Sequence, residues 1–189
     1  MRVLVVDESP ERAELLRDGL TQAGYEVTAS LSSPVALLKT IDELEPDVIV
    51  IDTDSPSRDV LEHLVVMSQH TPRPVVMFAS DSAPETIREA VRAGVSAYVV
   101  DGLEKSRIKS IIDVAVARFE DFQRLRGELA EATLKLSERK LVERAKGVLM
   151  KRHGLDEEGA YALLRKTAMD RKETLAEVAR QLLVHRNSA

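Results

Sequence analysis

The 189-residue chain has no cysteine, no tryptophan, and only three phenylalanines and three tyrosines. Without thiols, disulfides and thiolate metal sites are excluded, which fits a reducing compartment. No apolar run approaches the roughly 18 residues that a membrane span requires. Met1 leads into a strand-like run rather than a basic, apolar leader, so the expected location is the cytoplasm. No Ser/His or Cys/His arrangement suited to nucleophilic catalysis is present, and His63, His70, His153 and His185 lack metal-ligand spacing, which argues against an enzyme. Proline is absent between residues 104 and 146, where Gly127 is the sole glycine.

What remains is a composition of 44% apolar and 31% charged residues, ordinary for a globular protein with one core and a small second domain. The net charge of −5 divides unevenly, as −10 over residues 1–102, +1 over 103–136 and +4 over 137–189. A positive end on an acidic chain points to nucleic acid, although a solvated helical surface gives the same excess.

The first hundred residues alternate. The runs VLVV (3–6), VIVID (48–52), PVVMFA (74–79) and AYVV (97–100) are short and β-branched, as in parallel strands buried on both faces, and Glu26–Ala29 makes a weaker fifth. Helix-length segments lie between them: Pro10–Ala23, Ser33–Leu44, Arg58–Gln69 and Ala83–Ala93. The expected fold is α/β, a (βα)5 doubly wound parallel sheet, with ligands at the carboxyl ends of the strands. Asp7 and Glu8 follow the first strand and Asp52 ends the third, so the fold brings three carboxylates together in a set that suits magnesium; separately, each is an ordinary helix cap.

That set, with VIVIDTDSPSRDVLEHL around Asp52 and Pro56 and with Tyr98 in the fifth strand, resembles the receiver domain of response regulators over residues 1 to about 118. The resemblance implies phosphorylation at Asp52 and magnesium held by Asp7, Glu8 and Asp52, with no other cofactor required. Two positions depart from the pattern. The fourth strand ends in Ala79 where the family has Ser or Thr, and Ser80 falls on the opposite face. Asp101 and Gly102 stand where the family has Lys-Pro, and the charge reversal replaces an attraction of about 4 kcal/mol, for unit charges 4 Å apart at an effective dielectric near 20, with repulsion. Asp52 is therefore not expected to be the working switch. The alternative is a phosphorylation-activated regulator in which Lys105 or a partner supplies the missing charge.

Ile108, Ala115, Phe122, Leu129 and Leu136 recur every seven residues, with Ile111, Arg118, Leu125, Ala132 and Arg139 three further on. This is a partial coiled-coil seam on one long helix, suited to a homodimer or to docking on the protein's own domains. Phe119 and Phe122 are read as packing residues. The expected organisation is a receiver-like domain over 1–118, a linker helix over 119–136 and a three-helix bundle over 137–189.

The bundle shows apolar stripes at Leu141, Ala145, Val148 and Leu149, at Ala160, Leu163, Leu164 and Ala168, and at Leu175, Val178, Leu182 and Leu183. Asp156 is placed to cap the second helix, and Thr174 with Glu177 forms a capping box for the third. The cations Lys140, Arg144, Lys146, Lys151, Arg165, Lys166, Arg171 and Lys172 are expected to be exposed. Tyr161, the bundle's sole aromatic, is expected to pack in the core. Spacing alone leaves RNA, DNA and acidic protein open as ligands.

The string RKLVERAKGVLM followed by HGLDEEGAYALLRKTAMDRKETLAEVA resembles the ANTAR domain, a three-helix RNA-binding module of bacterial antitermination regulators. The Asp101-Gly102 receiver, in SAYVVDGL, is most similar to the nitrate- and nitrite-assimilation antiterminators, where a nitrate-sensing partner protein rather than phosphorylation controls the regulator. The resemblance implies binding to two small-loop hairpins of a leader mRNA, which prevents an overlapping terminator hairpin. On this chain it points to Lys140, Arg144, Lys146, Arg165 and Lys166 for phosphate or loop contacts, and to Ala145, Gly147 and Ala168 for close backbone approach. Helix packing explains the small residues equally well. A DNA-binding regulator and a protein-binding adaptor are the competing readings.

Overall fold

The computed structural model describes residues 1–33, 36–100 and 104–184, and the chain divides into two compact units, Met1–Gln123 and Arg124–Ala189. In the first, strands β1 (Arg2–Asp7), β2 (Glu26–Leu31), β3 (Val48–Thr53), β4 (Val75–Ala79) and β5 (Ala97–Val100) form one sheet of order β2-β1-β3-β4-β5. All four pairings are parallel. Helices α1 (Pro10–Gln22), α2 (Leu37–Leu44), α3 (Arg58–His70) and α4 (Pro84–Ala93) connect the strands, and a 3₁₀ turn at Lys105–Arg107 precedes α5 (Ile108–His153).

Both faces of the sheet are covered, so the strands can be apolar at every position. Leu4, Val6, Ile49, Ile51 and Met77 pack with Leu37, Ile41, Leu64 and Met67 on one face. Val3, Val5, Val50, Val76 and Phe78 pack on the other with Leu16 and Leu20 of α1 and Ile108, Ile112 and Ala115 of α5. Each such large side chain contributes about 1.5–3 kcal/mol by leaving water. The strand order reverses between β1 and β3, which places the ligand end of the sheet at the carboxyl termini of these two strands.

The second unit is built from the end of α5 with α6 (Glu157–Arg171) and α7 (Leu175–Val184). Its core is Ala145, Leu149, Ala160, Leu164, Ala168, Val178 and Ala179. Asp156 caps α6 by accepting from the Gly159 N–H at 2.8 Å. Thr174 and Glu177 form the reciprocal box: Glu177 accepts from the Thr174 N–H at 2.7 Å, and Thr174 Oγ1 accepts from the Glu177 N–H at 3.2 Å. No helix among the described residues is long and apolar enough to cross a membrane.

Several expectations are corrected. Helix α2 begins at Leu37, later than Ser33. Ile108 and Ala115, the first two positions of the heptad seam, are buried in the core of the first unit, so the free seam begins only at Phe122. Phe122 is 61% exposed rather than packed. Leu163 and Tyr161 are also exposed, because the inward face of α6 is Ala160, Leu164 and Ala168 and both residues lie beside it.

Candidate functional site

Two regions carry functional side chains, one in each unit. In the first, β1 and β3 run in register so that Asp7 lies opposite Asp52 at the strand ends. Asp7 is buried, at 2% exposure. Its Oδ1 accepts from the Ser9 N–H at 2.7 Å, while Oδ2 is buried without a hydrogen-bond partner among the described residues. Burial, and next the negative charge of Asp7, push the Asp52 carboxyl up to about 6, with Arg12 pulling the other way. Glu8 is exposed.

A residue that the sequence reading missed completes this pocket. Arg12, in the first turn of α1, places Nε 3.5 Å from Asp7 Oδ1 and 3.9 Å from Asp52 Oδ2, and Nη1 donates to Asp54 Oδ1 at 2.6 Å. The Asp54 hydrogen bond, then the charges of Asp52 and Asp7, raise the guanidinium's pKa against the opposing effect of burial. The available signal was an arginine just after an acidic pair, at a helix start where the backbone dipole disfavours cations.

Magnesium is the ion that the resemblance to receiver domains implies for this pocket. The orphaned Asp7 Oδ2 suits a cation, but the neighbouring positive charge already belongs to Arg12. Among the described residues no three Asp, Glu, His or Cys side chains are gathered to hold a metal ion. In this arrangement the guanidinium of Arg12 stands beside Asp7 and Asp52, and Glu8 is exposed. At the end of β4, buried Ala79 pairs with Thr53 and offers no hydroxyl, and Ser80 is exposed. Lys105 is exposed, with its stem beside Gly19 of α1. Asp101 and Gly102 lie outside the described residues. Tyr98 donates its hydroxyl to the Asp81 carbonyl at 2.8 Å.

In the second unit Leu136, Arg139, Lys140, Glu143 and Arg144 line an open groove of about 660 Å³ on α5. Lys140 and Arg144 are one helical turn apart and therefore share a face. Arg165 and Lys166 are exposed on α6. Among the described residues, none of these four cations has an ion pair or hydrogen-bonded side-chain partner. Tyr161 is 43% exposed one turn before Arg165, the spacing at which side chains on a helix are neighbours.

Lys146 corrects the list of exposed cations. It is 8% exposed, with Nζ 2.7 Å from Glu157 Oε1 and 2.9 Å from Glu143 Oε2. Hydrogen bonds to Glu157 and Glu143 raise its pKa, and Lys146 in turn lowers that of Glu157. The residue ties α5 to α6. Ala145 and Ala168 are buried in the core, whereas a Cβ added at Gly147 would meet nothing within 4 Å, which leaves a backbone surface open to a ligand.

Residues 3–113 match the model of the response regulator receiver domain, and residues 130–183 that of the ANTAR domain. The transcriptional regulatory protein PdtaR of Mycobacterium tuberculosis is 31% identical over 182 residues, covering 96% of this chain and 89% of that protein. A nitrate regulatory protein of Klebsiella oxytoca is 43% identical over 75 residues, which are 40% of this chain and 19% of that protein. Among solved structures, a CheY-like response regulator receiver domain protein of Methanospirillum hungatei aligns with a TM-score of 0.55 at 20% identity, covering 64% of this chain and 96% of that one. That likeness concerns the fold.

Proposed function

The chain belongs to the response regulators that join a receiver domain to an ANTAR domain, and from that premise we propose that it is an RNA-binding transcription antiterminator. Families of both kinds are regulatory rather than enzymatic. In this reading the C-terminal unit holds two small-loop hairpins of a leader mRNA, in the cytoplasm where that RNA is made. The paired structure so stabilised overlaps the terminator hairpin, so polymerase reads through.

The observation that carries the reading is the set Lys140, Arg144, Arg165 and Lys166, exposed and unpaired among the described residues on a unit whose buried cation, Lys146, is instead held by Glu143 and Glu157. Unpaired cations on helix faces suit phosphates, which give affinity, while open backbone at Gly147 and the exposed ring of Tyr161 suit contact with unpaired loop bases. Ala145 and Ala168 support that surface from the core side.

We further propose control by a nitrate-sensing partner protein rather than by phosphorylation at Asp52. The absent hydroxyl at Ala79 and the arginine in the acidic pocket support the second half of that statement, and the similarity of part of the chain to a nitrate regulatory protein supports the link to nitrate. Exposed Phe122, Leu125, Leu129 and Leu136 on α5 support a homodimer through the linker helix. The receiver would then extend to residue 118, the linker over 119–136 and the RNA-binding bundle from 137.

The test is transcription in vitro on a template carrying a two-hairpin leader and a terminator. The protein should raise read-through without a phosphodonor, and a small phosphodonor with magnesium should leave read-through unchanged. Read-through that appears only with stoichiometric phosphorylation of Asp52 would establish the phosphorylation-activated alternative.

A further inference from the structure

The acidic pocket of the receiver contains its own cation. Asp7 has a side chain fully withdrawn from water, and Asp52 is only 15% exposed. A carboxylate removed from water requires a positive partner. Beside the Ser9 N–H that Asp7 accepts, the positive partner is the guanidinium of Arg12, which hydrogen-bonds Asp54 and brings Nε within 4 Å of Asp7 and Asp52.

Local structure explains how it gets there. Pro10 opens α1 immediately after Ser9, so Arg12 is the third helical residue. Side chains on a helix lean toward its N-terminus, which directs a long arginine in the first turn back to the end of β1. The helix dipole opposes a cation at this place. The three carboxylates outweigh it, and a permanently charged planar fork can engage more than one of them at once.

We propose that Arg12 is the resident counter-ion of this pocket: its guanidinium takes the place from which a divalent cation would bind Asp7 and Asp52, so the pocket accepts such an ion only when Arg12 swings out. Magnesium needs close, nearly octahedral oxygen ligands and gives up its water reluctantly. A tethered guanidinium among the same oxygens competes with it at a high effective concentration. The orphaned Asp7 Oδ2 is the atom that an entering ion would take. This inference concerns the pocket whose phosphorylation-independence is proposed above, but it is read by ion binding alone, so either can fail without the other.

The experiment is calorimetric titration of the full-length protein with magnesium and with manganese, for the wild type, Arg12→Met, and Arg12→Met combined with Asp52→Asn. Arg12→Met should bind either ion about tenfold or more tighter than the wild type, because one repelling charge is gone, and the added Asp52→Asn should abolish the gain. Wild-type affinity equal to or tighter than that of Arg12→Met overturns the proposal. If Arg12→Met is too unstable to titrate, its melting curve decides. Magnesium should raise the variant's Tm and leave the wild type's in place, whereas an equal rise in both, or no rise in the variant, refutes it.

Discussion

The ammonium of Lys146 lies 2.7 Å from Glu157 Oε1, joining the last turns of α5 to the first turn of α6. Glu143 completes the clamp from α5 itself. A cation that spacing assigns to the ligand surface is thus part of the scaffold that shapes it. Lys146→Met should lower the Tm of the C-terminal unit, and RNA affinity should fall only as far as folding is lost. Loss of RNA binding with an unchanged melting curve would return Lys146 to the ligand surface.

The same clamp has a pH signature. Glu157 titrates below its ordinary value because of Lys146, so its contribution to stability is complete above the unfolded carboxyl value of about 4.3 and is lost as pH falls through the lower folded value. Lys146, raised by the same partners, keeps its charge throughout that range. Thermal melts of the wild type should therefore decline in strong acid more than those of Lys146→Met. Parallel declines in the two proteins would show that the pair contributes nothing.

Lys140→Ala and Arg144→Ala should leave the circular dichroism unchanged, since both side chains are exposed and unpaired among the described residues. Each should reduce the slope of log affinity for leader RNA against log salt by about 0.7–0.9, the value for one lost phosphate contact. Filter binding across a salt series checks this, and unaltered slopes would remove the two residues from the RNA surface.

Leu129 is 68% exposed at the centre of the linker seam. If that seam joins two copies, Leu129→Asp should shift the protein from dimer to monomer in sedimentation equilibrium, while Ala130→Asp, beside the seam, should not. A wild-type protein that is monomeric at all concentrations, with and without RNA, would end the dimer proposal.

Thr174→Ala removes the hydroxyl that caps α7 and should cost about 1 kcal/mol in urea unfolding of the C-terminal unit. An effect near zero would mean that the α7 start is held by Leu175 and Val178 packing alone.

The sheet was legible because parallel strands covered on both faces must be apolar throughout, and VLVV, VIVID and PVVMFA obey that rule without interruption. The caps at Asp156 and Thr174 were legible because they satisfy local backbone donors. The pairing of Asp7 with Asp52 followed from topology. Arg12 left only a faint signal, a cation at a helix start after an acidic pair, since its contribution depends on the direction of one long side chain rather than on spacing. Lys146 was hidden by its charge: its neighbours Ala145 and Leu149 mark the buried face, and Glu143 with Glu157 are the partners that make a buried lysine tolerable. Tyr161 and Phe122 failed in the opposite sense, as apolar rings left on the surface where a ligand rather than a core can use them.

The most direct measurement is the affinity of the full-length protein, without phosphodonor, for a leader RNA with two small-loop hairpins, set against duplex DNA of equal charge at the same salt. Preference for the two-hairpin RNA by about tenfold or more, lost when either hairpin is deleted, is the predicted result. Equal or tighter binding to duplex DNA, or binding indifferent to the second hairpin, would contradict the account.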